Sequence, residues 1–190
     1  MIDKPRHVYI LLSRTETIPA RIIRALKGEG YSHVSLALTP STDRFYSFAR
    51  RRIHNPLIAG FVIENIHKGV FSHYPDCKSA LYSLDVSEEA YRSISDTINN
   101  FITHYDRSKY SFKGMFALAL GIRIKQNDKF TCSQFVAHTL EKANAISCPK
   151  DPYLMLPNDF KKISNLHLIY EGPLKNCNYN SFIKNPLKPE

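Results

Sequence analysis

Lys129-Phe130-Thr131-Cys132-Ser133-Gln134-Phe135-Val136-Ala137-His138-Thr139-Leu140 reads as the start of a helix with a thiol in its first turn. Thr131 and Gln134 stand in the Ser/Thr-x-x-Glu/Gln relation of a capping box, in which the hydroxyl and the amide side chain each satisfy an orphan backbone N–H. Cys132 is then the first helical residue, on the same side as Phe135, Val136, Leu140 and Ala143. Whatever buries that stripe also receives the sulfur. The unpaired N–H groups and positive dipole end of a helix start lower a thiol's pKa and can bind an oxyanion. A buried cysteine is also an ordinary core residue, so chemistry at Cys132 requires a base from elsewhere in the chain.

The surrounding composition is that of a globular protein. The chain has 190 residues, with eleven Phe and eleven Tyr, enough for one domain with a sizeable core. That domain is expected over residues 1–172, with a basic, irregular tail at 173–190. Twenty-six Lys and Arg against seventeen Asp and Glu leave a net charge of +9, which favours weak contact with anionic surfaces. The basic residues are dispersed apart from Arg50-Arg51-Arg52, and no nucleic-acid-binding motif accompanies them. Four cysteines, at 77, 132, 148 and 177, have no C-x-x-C spacing, so free thiols are expected rather than a zinc site or disulfide framework. The N-terminal apolar run at residues 8–12 is too short for a signal peptide, and no run approaches the roughly 20 apolar residues of a membrane span. A cytoplasmic location is expected.

Along the chain, residues 7–12 read as a strand. Thr17, Ile18 and Pro19 then open a helix whose apolar positions are Ile18, Ile22, Ile23 and Leu26, stopped at Gly28 and Gly30. His33-Val34-Ser35-Leu36-Ala37-Leu38 is a strand, turning back through Thr39-Pro40-Ser41-Thr42-Asp43 into residues 44–49. Further strands are expected at 60–66, after a loop containing Asn55-Pro56, and at 78–86. Ser87 caps an amphipathic helix ending near Asp106, with the stripe Ala90, Ile94, Ile98, Phe101, Ile102 and Tyr105. A second apolar helix covers 112–121, the Cys132 helix is third, and Leu156-Pro157-Asn158-Asp159-Phe160 opens a short one before a late strand at 166–170. The fold class is α+β, a small antiparallel sheet packed against helices.

Two histidines are worth weighing as a base. His138 lies six residues after Cys132 on the same helix, which turns it away from the sulfur. His33 begins a strand after a Gly-Glu-Gly-Tyr-Ser turn, where a side chain can project from a sheet edge towards a packed helix.

Tyr31-Ser32-His33-Val34-Ser35-Leu36-Ala37-Leu38, followed about a hundred residues later by Phe130-Thr131-Cys132-Ser133-Gln134-Phe135-Val136, resembles the circularly permuted branch of the NlpC-type papain-like cysteine hydrolases, which includes the lecithin-retinol acyltransferase-like enzymes. In that branch a strand motif of the type Ser-His-Val-Gly-Ile precedes a helix motif of the type Cys-Ser-Glu-Leu-Val. Here Ser35 stands for the Gly and Gln134 for the Glu. The likeness covers roughly residues 7–160, including Leu156-Pro157-Asn158-Asp159-Phe160 against the family's Pro-x-Asp-Leu segment. The resemblance implies a papain-like fold with Cys132 as nucleophile at a helix N-terminus, His33 as base, and no cofactor or metal. For the third, orienting residue it leaves Glu64, in a Val-Ile-Glu strand, and Ser47, in the nearer strand, with Glu64 favoured because only a carboxylate holds an imidazolium. Tyr31, two residues before His33, is either an oxyanion donor or, the favoured role, an aromatic packing residue. The implied reaction is hydrolysis or acyl transfer at an amide or ester of a peptide, amino-acid conjugate or lipid. The alternatives are a non-catalytic binding domain of the same fold and a basic binder of anionic lipid or nucleic acid.

Overall fold

In a computed structural model, which describes residues 6–15, 30–52, 55–105, 108–124 and 129–178, the apolar run near the N-terminus becomes β1, Arg6–Ser13, an interior strand of an eight-stranded sheet. The other strands are β2, His33–Ala37; β3, Phe45–Arg52; β4, Asn55–Glu64; β5, Lys78–Val86; β6, Lys109–Tyr110; β7, Lys129–Phe130; and β8, Leu166–Pro173. Their order across the sheet is β7-β6-β4-β3-β2-β1-β5-β8. Among the described residues three α-helices accompany it: α1, Glu88–Thr103; α2, Phe112–Ala119; and α3, Cys132–Lys142. The class is α+β. The helix expected at residues 17–26 lies outside the described residues, as do the last twelve residues of the tail.

Alternation along β1 explains why so apolar a run can be a strand. Val8, Ile10 and Leu12 enter the core shared with the helices, while Tyr9 and Leu11 enter a second apolar cluster on the opposite face with Phe45, Ile66, Phe71, Leu81, Leu174 and Cys177. A sheet covered on both faces has no need of polar residues at alternate positions. The tail therefore begins as structure, since Leu174 and Cys177 are fully buried.

The sheet is larger than the small antiparallel one expected. Its strands pair antiparallel except for β6 and β7, which run parallel with Tyr110 opposite Phe130. Each has only two residues, too few to carry a period-two pattern, and α2 supplies the crossover that parallel strands require. The expected loop at Asn55-Pro56 is instead the start of β4, in antiparallel register with β3 and irregular between Arg50 and Arg52.

Ser87 caps α1 by accepting from the Ala90 N–H, and its inner side is Ala90, Ile94, Ile98 and Phe101. Ile102 and Tyr105, expected on that stripe, are 39% and 38% exposed: Ile102 is inside α1 but off its buried side, and Tyr105 lies past the helix end at Thr103. Nearly every side chain of α3 from Cys132 to Leu140 is buried, rather than one stripe, since the helix lies between β2 and β3 on one side and the Pro152–Leu154 turn on another. No helix among the described residues is long and apolar enough to cross a membrane.

Sheet and helices meet at a cluster of aromatic rings. Phe48 is fully buried, with ring centroids 5.9 Å from Phe61, 5.5 Å from Phe101, 5.5 Å from Phe130 and 5.3 Å from Phe135. Removing the ring leaves a cavity that four other rings cannot all collapse into. Phe48→Ala should therefore cost about 3–5 kcal/mol of stability, measured by urea unfolding, and a loss under about 1 kcal/mol would mean the cluster is loosely packed.

Candidate functional site

Three interactions set the backbone that leads into β2. The Tyr31 N–H donates to Asn158 Oδ1 at 2.9 Å, so the Pro157–Lys162 turn clamps the residue two before His33. The Ser32 N–H donates to the Ser13 carbonyl at 3.0 Å, and the Ser32 hydroxyl accepts from the Thr15 N–H at 3.1 Å. Gly30 has φ +149, and a Cβ there would lie 2.0 Å from Asn158 Nδ2, so only glycine lets the clamp close. His33 then pairs with Ser13 and enters the sheet in a fixed position.

The second contribution is α3. The Gln134 N–H donates to the Thr131 hydroxyl at 3.3 Å, and the Thr131 N–H donates to Gln134 Oε1 at 3.0 Å. Gln134 Nε2 also donates to the Tyr153 carbonyl at 3.0 Å, tying the helix start to the turn beside it. Gln134 is thus a structural residue. Cys132, 4% exposed, occupies the first turn, where N–H groups have no intrahelical partner.

The third contribution is the end of β4. Glu64 presents both carboxylate oxygens to His33 Nε2, each at 3.0 Å, with both side chains nearly buried. Cys132 is close enough to His33 for its thiol to raise the imidazole's pKa, through hydrogen bonding and charge. With Nε2 donating to the carboxylate, Nδ1 is the nitrogen left to exchange a proton with the sulfur. The chain thus brings Cys132, His33 and Glu64 together in that order of contact.

The other residues singled out in the sequence go elsewhere. The Ser47 hydroxyl donates to the Val34 carbonyl at 2.7 Å and is spent on that bond. Tyr31 packs in the core, and its hydroxyl donates to Glu171 on β8 at 2.9 Å. His138 stacks on Phe130 with centroids 5.6 Å apart. A residue absent from the sequence reading, Tyr110, lies close enough to Cys132 for the sulfur's charge to act on its phenol. Burial first, and that charge second, push the Tyr110 pKa up, so its hydroxyl stays protonated and able to donate. No signal in the sequence could have found it, because its place comes from the parallel pairing of Tyr110 with Phe130, two residues before Cys132, in strands too short to show a pattern. Among the described residues, no group of three or more His, Cys, Asp or Glu side chains could hold a metal ion.

Electrostatics favour the charged imidazole. Burial acts against the imidazolium, but the Glu64 charge, the hydrogen bonds to Cys132 and Glu64 and the charge on the sulfur outweigh it, raising His33 from 6.5 to about 10. Compared with family models and with curated proteins, the chain matches neither a family nor a relative.

A histidine whose pKa is raised on folding stabilises the fold fully below its unfolded value and loses that contribution as pH climbs through the folded value. The stability advantage of the wild type over His33→Gln should therefore be largest below pH 6.5 and shrink as pH rises towards about 10. Urea unfolding of both proteins across this range measures it, and an advantage that grows with pH would show that the imidazole is buried neutral.

Proposed function

We propose that the chain is a cysteine hydrolase or acyltransferase of the circularly permuted papain-like type, acting on an amide or ester through a thioester at Cys132. The observation that carries this reading is His33, buried with a carboxylate 3.0 Å from Nε2 and with the Cys132 thiol near enough to raise its pKa. A structural histidine is satisfied by one partner or by backbone. One held by a carboxylate on one side and a thiol on the other has the connectivity of a nucleophile, its base and an orienting group.

In this mechanism the thiol proton already resides on His33 Nδ1 in the resting site, so that the sulfur is a thiolate beside an imidazolium that Glu64 stabilises. The sulfur attacks the acyl carbon, forming the C–S bond, and the carbonyl electrons move onto oxygen. First-turn N–H groups of α3 and the Tyr110 hydroxyl are the donors offered to that oxyanion. Collapse breaks the carbon–nitrogen or carbon–oxygen bond while His33 returns its proton to the leaving group. Water, or another hydroxyl or amine, then gives a proton to His33 and attacks the thioester, and the thiolate departs.

Each group has its own expected loss. Cys132→Ser and His33→Ala should abolish turnover of an activated ester such as p-nitrophenyl acetate, with the fold intact by circular dichroism. Glu64→Gln should lower turnover by about 10²–10⁴ and Tyr110→Phe by about 10²–10³, whereas Ser47→Ala should leave it nearly unchanged. Wild-type turnover in either of the first two variants would refute the assignment.

Thiol reactivity separates an enzyme from a silent domain of the same fold without a substrate. Iodoacetamide at mildly acidic pH should modify Cys132 first, because burial pushes Cys77 to about 11 and Cys148 to about 12 and Cys177 is fully buried. His33→Ala should slow the reaction. Peptide mass spectrometry reads both results, and equal labelling with and without His33 would favour a non-catalytic binding domain.

A further inference from the structure

A cavity of about 730 Å³ is lined in part by Glu64, and by neither Cys132 nor His33. Its apolar walls include Val62, Val70 and Phe71, the last with its ring 6.0 Å from that of His33. Its charged lining is lopsided: Arg50, Arg51, Arg52 and Lys68 against the single acid Glu64, whose two oxygens are both turned to the imidazole. Volume and mixed lining are those of a small-molecule site.

Consecutive strand residues alternate between faces, yet Arg50, Arg51 and Arg52 all line this one cavity. The irregularity in the β3 and β4 register between Arg50 and Arg52 accounts for it, since a bulge breaks alternation and re-aims side chains. Arg51 is a structural member. Its Nε donates to the Phe61 carbonyl at 3.2 Å, its Nη2 donates to the Ser108 carbonyl at 2.9 Å and to the Tyr105 carbonyl, and its guanidinium lies 3.9 Å from the Tyr105 ring centroid. Gly60 leaves room for this path, because a Cβ there would sit 2.9 Å from Arg51 Nη2 and 2.1 Å from the Ser108 carbonyl. Arg52 and Lys68 are exposed, and among the described residues no carboxylate pairs with either. Cations gathered at a cavity with apolar walls suit a ligand with a hydrophobic body and an oxyanion.

We infer that this cavity binds a small organic phosphate, with its phosphate at Arg52 and Lys68 and its apolar part against Val70 and Phe71. The inference is independent of the role of Cys132. Isothermal titration of phenyl phosphate into the full chain, and into Cys132→Ser, should give saturable binding of equal strength. Arg52→Gln with Lys68→Gln should weaken it at least about tenfold, which corresponds to about 1.4 kcal/mol, without lowering the melting temperature. Arg52→Lys with Lys68→Arg keeps both charges and should retain binding within about threefold. Replacing the exposed Lys113 and Lys129, which do not line the cavity, by Gln should change nothing. The inference is overturned by non-saturating binding at millimolar phenyl phosphate, by unchanged affinity in the Gln double variant, or by equally tight binding of uncharged benzyl alcohol.

Discussion

A charged imidazole cannot sit in a protein interior unless an opposite charge sits with it. His33 is 9% exposed, and the Glu64 carboxylate at 3.0 Å is what makes its charged form tolerable there. The surrounding architecture serves to bring these two side chains from different strands to one point. The β3 and β4 hairpin carries Glu64 to the top of β4, the loop from Asn65 onward returns Phe71 against the imidazole, and the clamp on Tyr31 fixes where β2 begins. A carboxylate displaced by even an ångström would leave a buried charge uncompensated, which costs more than the pair contributes.

The same demand for paired polar groups runs through the buried helix. An eleven-residue helix buried on nearly all sides cannot lean on water to satisfy its first turn. Thr131 and Gln134 meet that demand locally, and Gln134 extends it by bonding to the Tyr153 carbonyl. A glutamate at 134 could supply the cap but could not donate to that carbonyl while ionised. The amide is therefore suited to its surroundings in this chain.

Both faces of the sheet are in use, and this links the two functional proposals. The helix side presents the thiol, and the opposite side is sealed by residues 66–77 and 174–177 through Ile66, Phe71, Leu174 and Cys177. Glu64 belongs to both proposed sites: its carboxylate holds the imidazole, and the residue also lines the basic cavity.

Local order was legible where a few consecutive residues carry the physics. The capping box at Thr131 and Gln134, the Ser87 cap with its acidic first turn, and β5 at residues 78–86 all rest on neighbours in sequence, so the string of residues determined them. His33 and Cys132 could be singled out because each stands at the start of its element. Only the tertiary structure decided what His33 touches on each side. Ser47 is close to β2 in the hairpin, yet its hydroxyl is consumed by the Val34 carbonyl, a bond that depends on strand register. Tyr31 is adjacent to the motif yet turns to Glu171, because β8 returns from far along the chain to cover that edge. Tyr110 comes beside Phe130, two residues from Cys132, only through a parallel pairing of two-residue strands, and Arg50, Arg51 and Arg52 meet one cavity only through an irregularity in register. Each depends on long-range pairing between strands, whose energy is shared between distant segments and leaves no period in either one.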